Sequence, residues 1–188
     1  MTAAHGSVSD AVIKLEEWFG GIKGLSKVYD FFVGRWNNWP PLIAKSCKMS
    51  KHRFNLWLVA HRKLLTRDRL GYLDDRSCVL CNFAVESVNH LFFDCPISQA
   101  IWNSIRSWLG MRKLMRSLSA VLAAFRSVYR GTSALNKMRC VALGATVYQI
   151  WNIRNRTIFE HEQLDMDRTI MKIKIHVLRS VPNADNVI

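Results

Sequence analysis

Apolar side chains recur at three- and four-residue steps along most of the chain, the spacing that gathers one face of an α-helix. Val12, Ile13, Leu15, Trp18 and Phe19 predict a first helix over 7–19, capped by Ser7 or Ser9 and stopped by Gly20-Gly21. Leu25, Val28, Tyr29, Phe32 and Trp36 line a second that ends before Pro40-Pro41, an aromatic stripe that reads as core rather than as a stacking platform. From Ser50 the face made by Phe54, Trp57, Leu58, His61 and Leu65 predicts an amphipathic helix, with Lys51, Arg53, Arg62 and Lys63 pointing elsewhere. Thr66 is placed to cap a short turn over 67–70, and Ser87 one that carries His90. Pro96 opens a helix lined by Ile97, Ala100, Ile101, Ile105, Trp108 and Leu109 that stops at Gly110. Residues 117–130 form another, ended by Gly131, and a longer helix runs from about Ser133 through Phe159. Asp165 or Asp167 caps a last helix to about Arg179, ahead of Pro182 and a polar tail. No convincing strand, linker or repeat interrupts this pattern, so it predicts a mainly α protein built as a single helical domain.

One stretch, residues 78–95, stands apart and organises the rest. Cys78-Val-Leu-Cys81 is followed after eight residues by His90, and then by Cys95. Two cysteines two residues apart can aim both sulfurs at one ion, and a His/Cys pair downstream completes a tetrahedral N/S shell. Spacing and ligand softness therefore predict one structural Zn²⁺ on Cys78, Cys81, His90 and Cys95, although iron or cobalt could use the same ligands. The competing reading is buried apolar thiols beside a hydrogen-bonded histidine. A redox pair would want a strand-helix context that these flanks do not supply. Cys95 would lie at a helix N-terminus, where backbone N–H groups and the dipole favour a thiolate. Phe92 and Phe93 are placed to pack the loop against the body.

Composition bounds the partners. With 188 residues, 49% of them apolar and seven tryptophans, the chain can bury a core of its own, so a small metal loop is not its sole source of stability. Five cysteines and a short polar N-terminus predict a reducing compartment, nuclear or cytoplasmic, with Cys47 and Cys140 free and buried. No apolar run is long enough for a bilayer, and no membrane partner is expected. The formal charge of +13 points to a polyanion. Residues 1–44 are balanced, but 45–76 carry nine Lys/Arg against Asp68, Asp74 and Asp75, and 96–130 carry six with no acid. Because these basic segments flank the metal loop, folding could gather Lys51, Arg53, Arg62, Lys63, Arg67, Arg69, Arg76, Arg106 and Arg112 around it as an RNA- or DNA-backbone footprint. A solvated basic surface without a dedicated ligand is the alternative. Tyr72 and Phe83 are the candidate stacking residues.

Nothing here assembles an active site. Tyr72-Leu-Asp74-Asp75 matches the Tyr-x-Asp-Asp string of polymerases, but it lies between a basic turn and the metal ligands, without the strands and third carboxylate that two-metal chemistry needs. Four soft ligands leave no open position for activated water. No small-molecule substrate is expected.

Several motifs together resemble the zinc-binding domain found downstream of the polymerase in plant LINE-type, non-LTR reverse transcriptases. They are Lys51-His-x-Phe-x-Leu-Trp-Leu58, Leu65-Thr-x-Asp-Arg-Leu70, Cys78-Val-Leu-Cys81, Glu86-Ser-x-x-His-Leu-Phe-Phe93, Cys95, Trp102, Ile150-Trp-x-x-Arg-Asn155 and Phe159. The resemblance covers roughly 28–160 and places Cys78, Cys81, His90 and Cys95 at the family's proposed metal positions. It implies zinc binding and nucleic-acid association in a retroelement, with a reverse transcriptase or another retroelement protein as a possible partner. Family members usually accompany a polymerase, so this chain reads as a detached or truncated module. The expected organisation is an N-terminal extension over 1–24, the zinc-binding domain over 25–162 and a C-terminal helix and tail over 163–188. The expected function is non-enzymatic nucleic-acid binding. The alternatives are a zinc-stabilised protein-interaction module and a decayed retroelement fragment without a selected task.

Overall fold

A computed structural model describes residues 50–113, 116–129, 131–182 and 184. The helices expected over 7–19 and 25–36, the extension over 1–24 and Cys47 lie outside these residues. Five α-helices are described: α1 (Ser50–Ala60), α2 (Pro96–Trp108), α3 (Leu118–Ser127), α4 (Ala134–Phe159) and α5 (Met166–Ser180). Between α1 and α2 lie a 3₁₀ turn over Arg67–Arg69 and a π turn over His90–Asp94. There is no β-strand among the described residues, only an isolated bridge between Ser77 and Val85.

The core is built around α4. It begins where the sequence predicts, with Ser133 capping it by accepting from the Asn136 N–H. Every residue from Cys140 to Val147 is buried, so the middle of this helix is enclosed on all sides. Ala142, Gly144 and Ala145 keep that segment thin enough for neighbours to approach. Helices α1, α2 and α5 and the π turn all pack on it. From α5 come Thr169, Ile173 and Val177, one turn apart on a single buried face. Each of the two aliphatic ones contributes about 1.5–3 kcal/mol on burial. Asp165 caps α5 by accepting from the Arg168 N–H at 2.8 Å.

Helix ends decide which side chains reach that core. Gly110 takes φ 58°, and the N–H groups of Gly110 and Met111 return to the Ser107 and Arg106 carbonyls, a Schellman stop for α2. Arg139 of α4 then donates to the Leu109 carbonyl at 2.9 and 3.1 Å. Helix α1 ends in the same way but without a glycine. Arg62 takes φ 52°, Arg62 N–H donates to Val59 and Lys63 N–H to Leu58. This corrects the expected face: His61 and Leu65 fall beyond the helix, and Phe54, Trp57 and Leu58 are half-buried. The buried residues of α1 are His52, Asn55, Leu56 and Val59. A side chain in the left-handed region at an arginine has no propensity signal, which is why the stop was not legible.

Two buried polar groups join elements distant in sequence. The Glu86 carboxylate, inside the metal loop, is wholly buried and meets Arg154 of α4, with Arg154 Nη2 to Glu86 Oε1 at 2.7 Å and Nε to both oxygens at 3.1 and 3.2 Å. Glu86 Oε1 also accepts the Arg67 N–H at 3.0 Å, while Arg154 stacks 4.7 Å from the Trp151 ring. The second group is His52, whose ring centroid lies 4.3 Å from that of His176 and 4.6 Å from that of Tyr148. Burial, with His176 and Lys51 nearby, pulls the His52 pKa down to about 3, and burial and Lys51 lower His176 as well.

Replacing Arg154 by Met strands the Glu86 carboxylate and should cost about 3–5 kcal/mol, seen as a thermal midpoint lower by roughly 10 °C. The Glu86→Gln/Arg154→Met double variant should lose less than the sum of the single changes. Because folded His52 excludes a proton that the unfolded chain takes up below pH 6.5, its contribution is intact above that pH and lost as pH falls from 6.5 toward about 3. Denaturant titrations of His52→Gln between pH 7 and 5 should accordingly show a shallower loss of stability than the wild type.

Candidate metal centre

The four sequence-predicted ligands converge. Their donor atoms all lie within 4.8 Å of one another, with Cys78 Sγ 4.0 Å from Cys95 Sγ and Cys81 Sγ 3.3 Å from His90 Nε2. A tetrahedral shell with Zn–S and Zn–N bonds of about 2.3 and 2.0 Å places its ligand atoms roughly 3.5–3.8 Å apart, close to this spacing. The cysteines are unoxidised thiols, and Cys78 and Cys95 are buried.

Local backbone geometry brings each ligand in. Residues 77–86 form a tight hairpin in which Cys78 N–H donates to Ala84 and Glu86 N–H to Arg76, at 2.7 and 2.8 Å. At its tip Asn82 N–H returns to the Cys78 carbonyl, and Asn82 adopts φ 55°, a left-handed conformation that asparagine tolerates. The turn faces the Cys78 sulfur with the N–H groups of Leu80 and Cys81. Ser87 caps the next segment as expected, its hydroxyl accepting the His90 N–H at 3.1 Å. That segment winds as a π turn: Cys95 N–H bonds the His90 carbonyl at 2.7 Å, five residues back. The wider winding aims the His90 ring and the Cys95 thiol toward the same point. Its carbonyls are met by three side chains of α2. Ser98 donates to Leu91, Trp102 Nε1 to Phe92 at 2.8 Å, and Gln99 to Phe93 at 3.1 Å. Phe92 and Phe93 are fully buried beneath the site, and the Phe93 and Trp102 rings stack at 6.5 Å.

Cys95 sits at the N-cap of α2 with Pro96 behind it, where Ile97 and Ser98 N–H groups reach its sulfur. Its pKa is drawn down to about 5, first by the Cys78 thiol that donates to it and then, against burial, by those N–H groups. Cys78 is raised correspondingly by sharing with Cys95 and by burial. A soft donor set with thiolate-stabilising N–H groups fits Zn²⁺. Cys140, by contrast, is a buried thiol pushed up to about 11 by desolvation alone, and it stands apart from the cluster.

Residues 25–102 match the family model described as zinc-binding in reverse transcriptase. This stretch is a zinc-binding domain of the reverse-transcriptase type. The match spans α1, the metal loop and the first half of α2, and it ends at Trp102, the last of the three residues that bind the π turn. The Ile150-Trp-x-x-Arg-Asn155 motif lies outside the matched stretch, yet Arg154 reaches back to Glu86 within it. Glu86 and Arg154 are the residues that ligand spacing missed. Their signal was an acid between the two ligand pairs and an arginine on an otherwise apolar helical stripe. No catalytic family model matches, and neither a curated protein nor a solved structure matches the chain.

The basic residues are divided. Arg62 and Arg69 share one groove, and the Arg69 guanidinium donates to the Arg62 carbonyl. Arg67 is drawn into the loop, donating to the Ser77 carbonyl at 2.9 Å and pairing with Asp75 at 3.3 Å. Arg76 and Arg112 are exposed, Arg76 donating to the Leu73 carbonyl. Half-buried Arg106 donates to Asn103, and half-buried Lys63 lies 5.9 Å from the Trp57 ring. Lys51 stands at the start of α1, 5.0 Å from the Tyr148 ring, and Arg53 is half-buried on the same helix. In the Tyr72–Asp75 string, Asp75 accepts the Ser77 N–H and hydroxyl and has its pKa lowered chiefly by them. It is a turn former there.

Cys81→Ser should reduce bound zinc well below one equivalent by elemental analysis. The thermal midpoint should fall by roughly 10 °C or more, since metal-binding free energy feeds folding.

Proposed function

We propose that this zinc-binding domain is a non-enzymatic module that holds the sugar-phosphate backbone of a nucleic acid. The observation that supports this reading is a groove of about 590 Å³ beside the metal loop. Arg62 and Arg69 stand on one side, Asn89 of the metal loop on another, and Ser117 and Ser119 at the capped start of α3. Cations, an amide and hydroxyls in one concave surface suit phosphate oxygens, and the chain's net charge of +13 would draw a polyanion toward it. Asp68 also lines the groove, with its carboxylate turned to the Thr66 hydroxyl at 2.5 Å.

Zinc serves this function indirectly. Three thiolates, a neutral imidazole and Zn²⁺ sum to about −1, so the metal centre is not the phosphate contact. Bound zinc would hold His90 and hence the adjoining Ser87–Asn89 wall of the groove. Such binding is largely independent of sequence. A second reading, docking on a reverse transcriptase or another retroelement protein, is favoured by exposed Met171 and Ile175, one turn apart on α5.

Arg62→Glu/Arg69→Glu should weaken oligonucleotide binding and flatten the log-log salt dependence by roughly 1.5, since each phosphate contact contributes about 0.7–0.9. Fluorescence anisotropy at several salt concentrations measures both, with zinc content as the check on folding. An unchanged slope would remove the groove from the interface.

A further inference from the structure

Resting on the nucleic-acid reading above, we propose that Phe83 is a stacking residue for an unpaired base, which makes a single strand the preferred ligand. Phe83 is 89% exposed, more than any other large hydrophobic residue described. Exposure alone would say little, but this ring is mounted on the hairpin closed by two of the metal ligands. Cys78 and Cys81 precede it, Cys78 N–H bonds the Ala84 carbonyl at 2.7 Å directly after it, and Ser77 bridges Val85. The backbone that carries the ring is therefore held, and stacking a base on it orders little beyond the side chain.

Size and charge choose the occupant. The ring's chain neighbours Asn82, Ala84 and Val85 are exposed as well, and the hairpin turns inward at buried Glu86. A single phenyl ring matches the face of one base and falls far short of the roughly 800 Å² that each partner of a stable protein complex buries. Arg76, at the base of the same hairpin, is exposed and cationic, consistent with a phosphate-bearing ligand. Aromatic faces accept any base, whereas bases stacked within a duplex are not available to them. Tyr72 is also exposed, at 75%, but lies in the turn ahead of the hairpin and outside the ligand-closed loop. The metal would not position it.

The test compares labelled single-stranded dT and rU 20-mers with a duplex of equal length, by anisotropy at several salt concentrations. The wild-type protein should prefer the single strands. Phe83→Ala should weaken single-strand binding roughly 5- to 150-fold, the range given by one base stacked on an aromatic ring. Duplex affinity, zinc content and salt slope should stay unchanged, because stacking releases no counterions. Phe83→Trp should retain single-strand affinity. If Phe83→Ala binds the single strands as the wild type does, the stacking role is overturned while the backbone reading stands, and the ring is left to a protein partner. If the wild type shows no saturable binding to any of the three, the backbone reading itself falls and this proposal with it.

Discussion

A carboxylate removed from water must find compensating charge and hydrogen bonds, and Glu86 finds both in one place. Arg154 approaches it from α4, the Arg67 N–H from the 3₁₀ turn, and its own backbone spans Arg76 and Asp68. The metal loop is nearly devoid of regular structure, so its position against the helices cannot come from a ladder or a helix face. It comes from this ion pair on one side and from the π turn packed on α2 on the other. A buried pair of this kind adds little net stability over an apolar contact, but it punishes any arrangement that separates its members. It acts as a registration device between the loop and α4.

The ligand shell repeats that logic at shorter range. Tetrahedral coordination asks two sulfurs from a hairpin to meet an imidazole and a thiol from a helical segment. The π turn allows this because a bond five residues back brings residues 90 and 95 to one side. The cost of the irregular winding falls on carbonyls that a regular helix would have satisfied internally, and Ser98, Gln99 and Trp102 supply the missing donors. Four soft ligands close the shell and leave the ion no open position. The slightly anionic centre and the cationic groove are separate features, linked through the backbone of residues 87–90.

The groove itself depends on a helix stop. Had α1 continued through His61 and Leu65, as its apolar spacing implied, Arg62 would have pointed from a helix flank. The left-handed turn at Arg62 instead ends the helix and sets the guanidinium beside Arg69. Basic residues that looked equivalent in the sequence were thereby sorted, with Arg67 consumed inside the loop and Lys51 left at the opposite end of α1.

The sequence by itself determined the helical class, the extents of α2 to α5 within a few residues and the convergence of Cys78, Cys81, His90 and Cys95. These follow from local physics: a 3.6-residue period, serine and aspartate caps, proline at a first turn, glycine at Gly110, and short ligand spacing. The tertiary structure alone decided which face of α1 is buried, the π winding of the turn carrying His90, the assembly of the groove and the pairing of Glu86 with Arg154. That pair spans 68 residues. Periodicity reports that a face meets a neighbour but carries no record of which neighbour, so contacts across such separations appear only when the chain is folded.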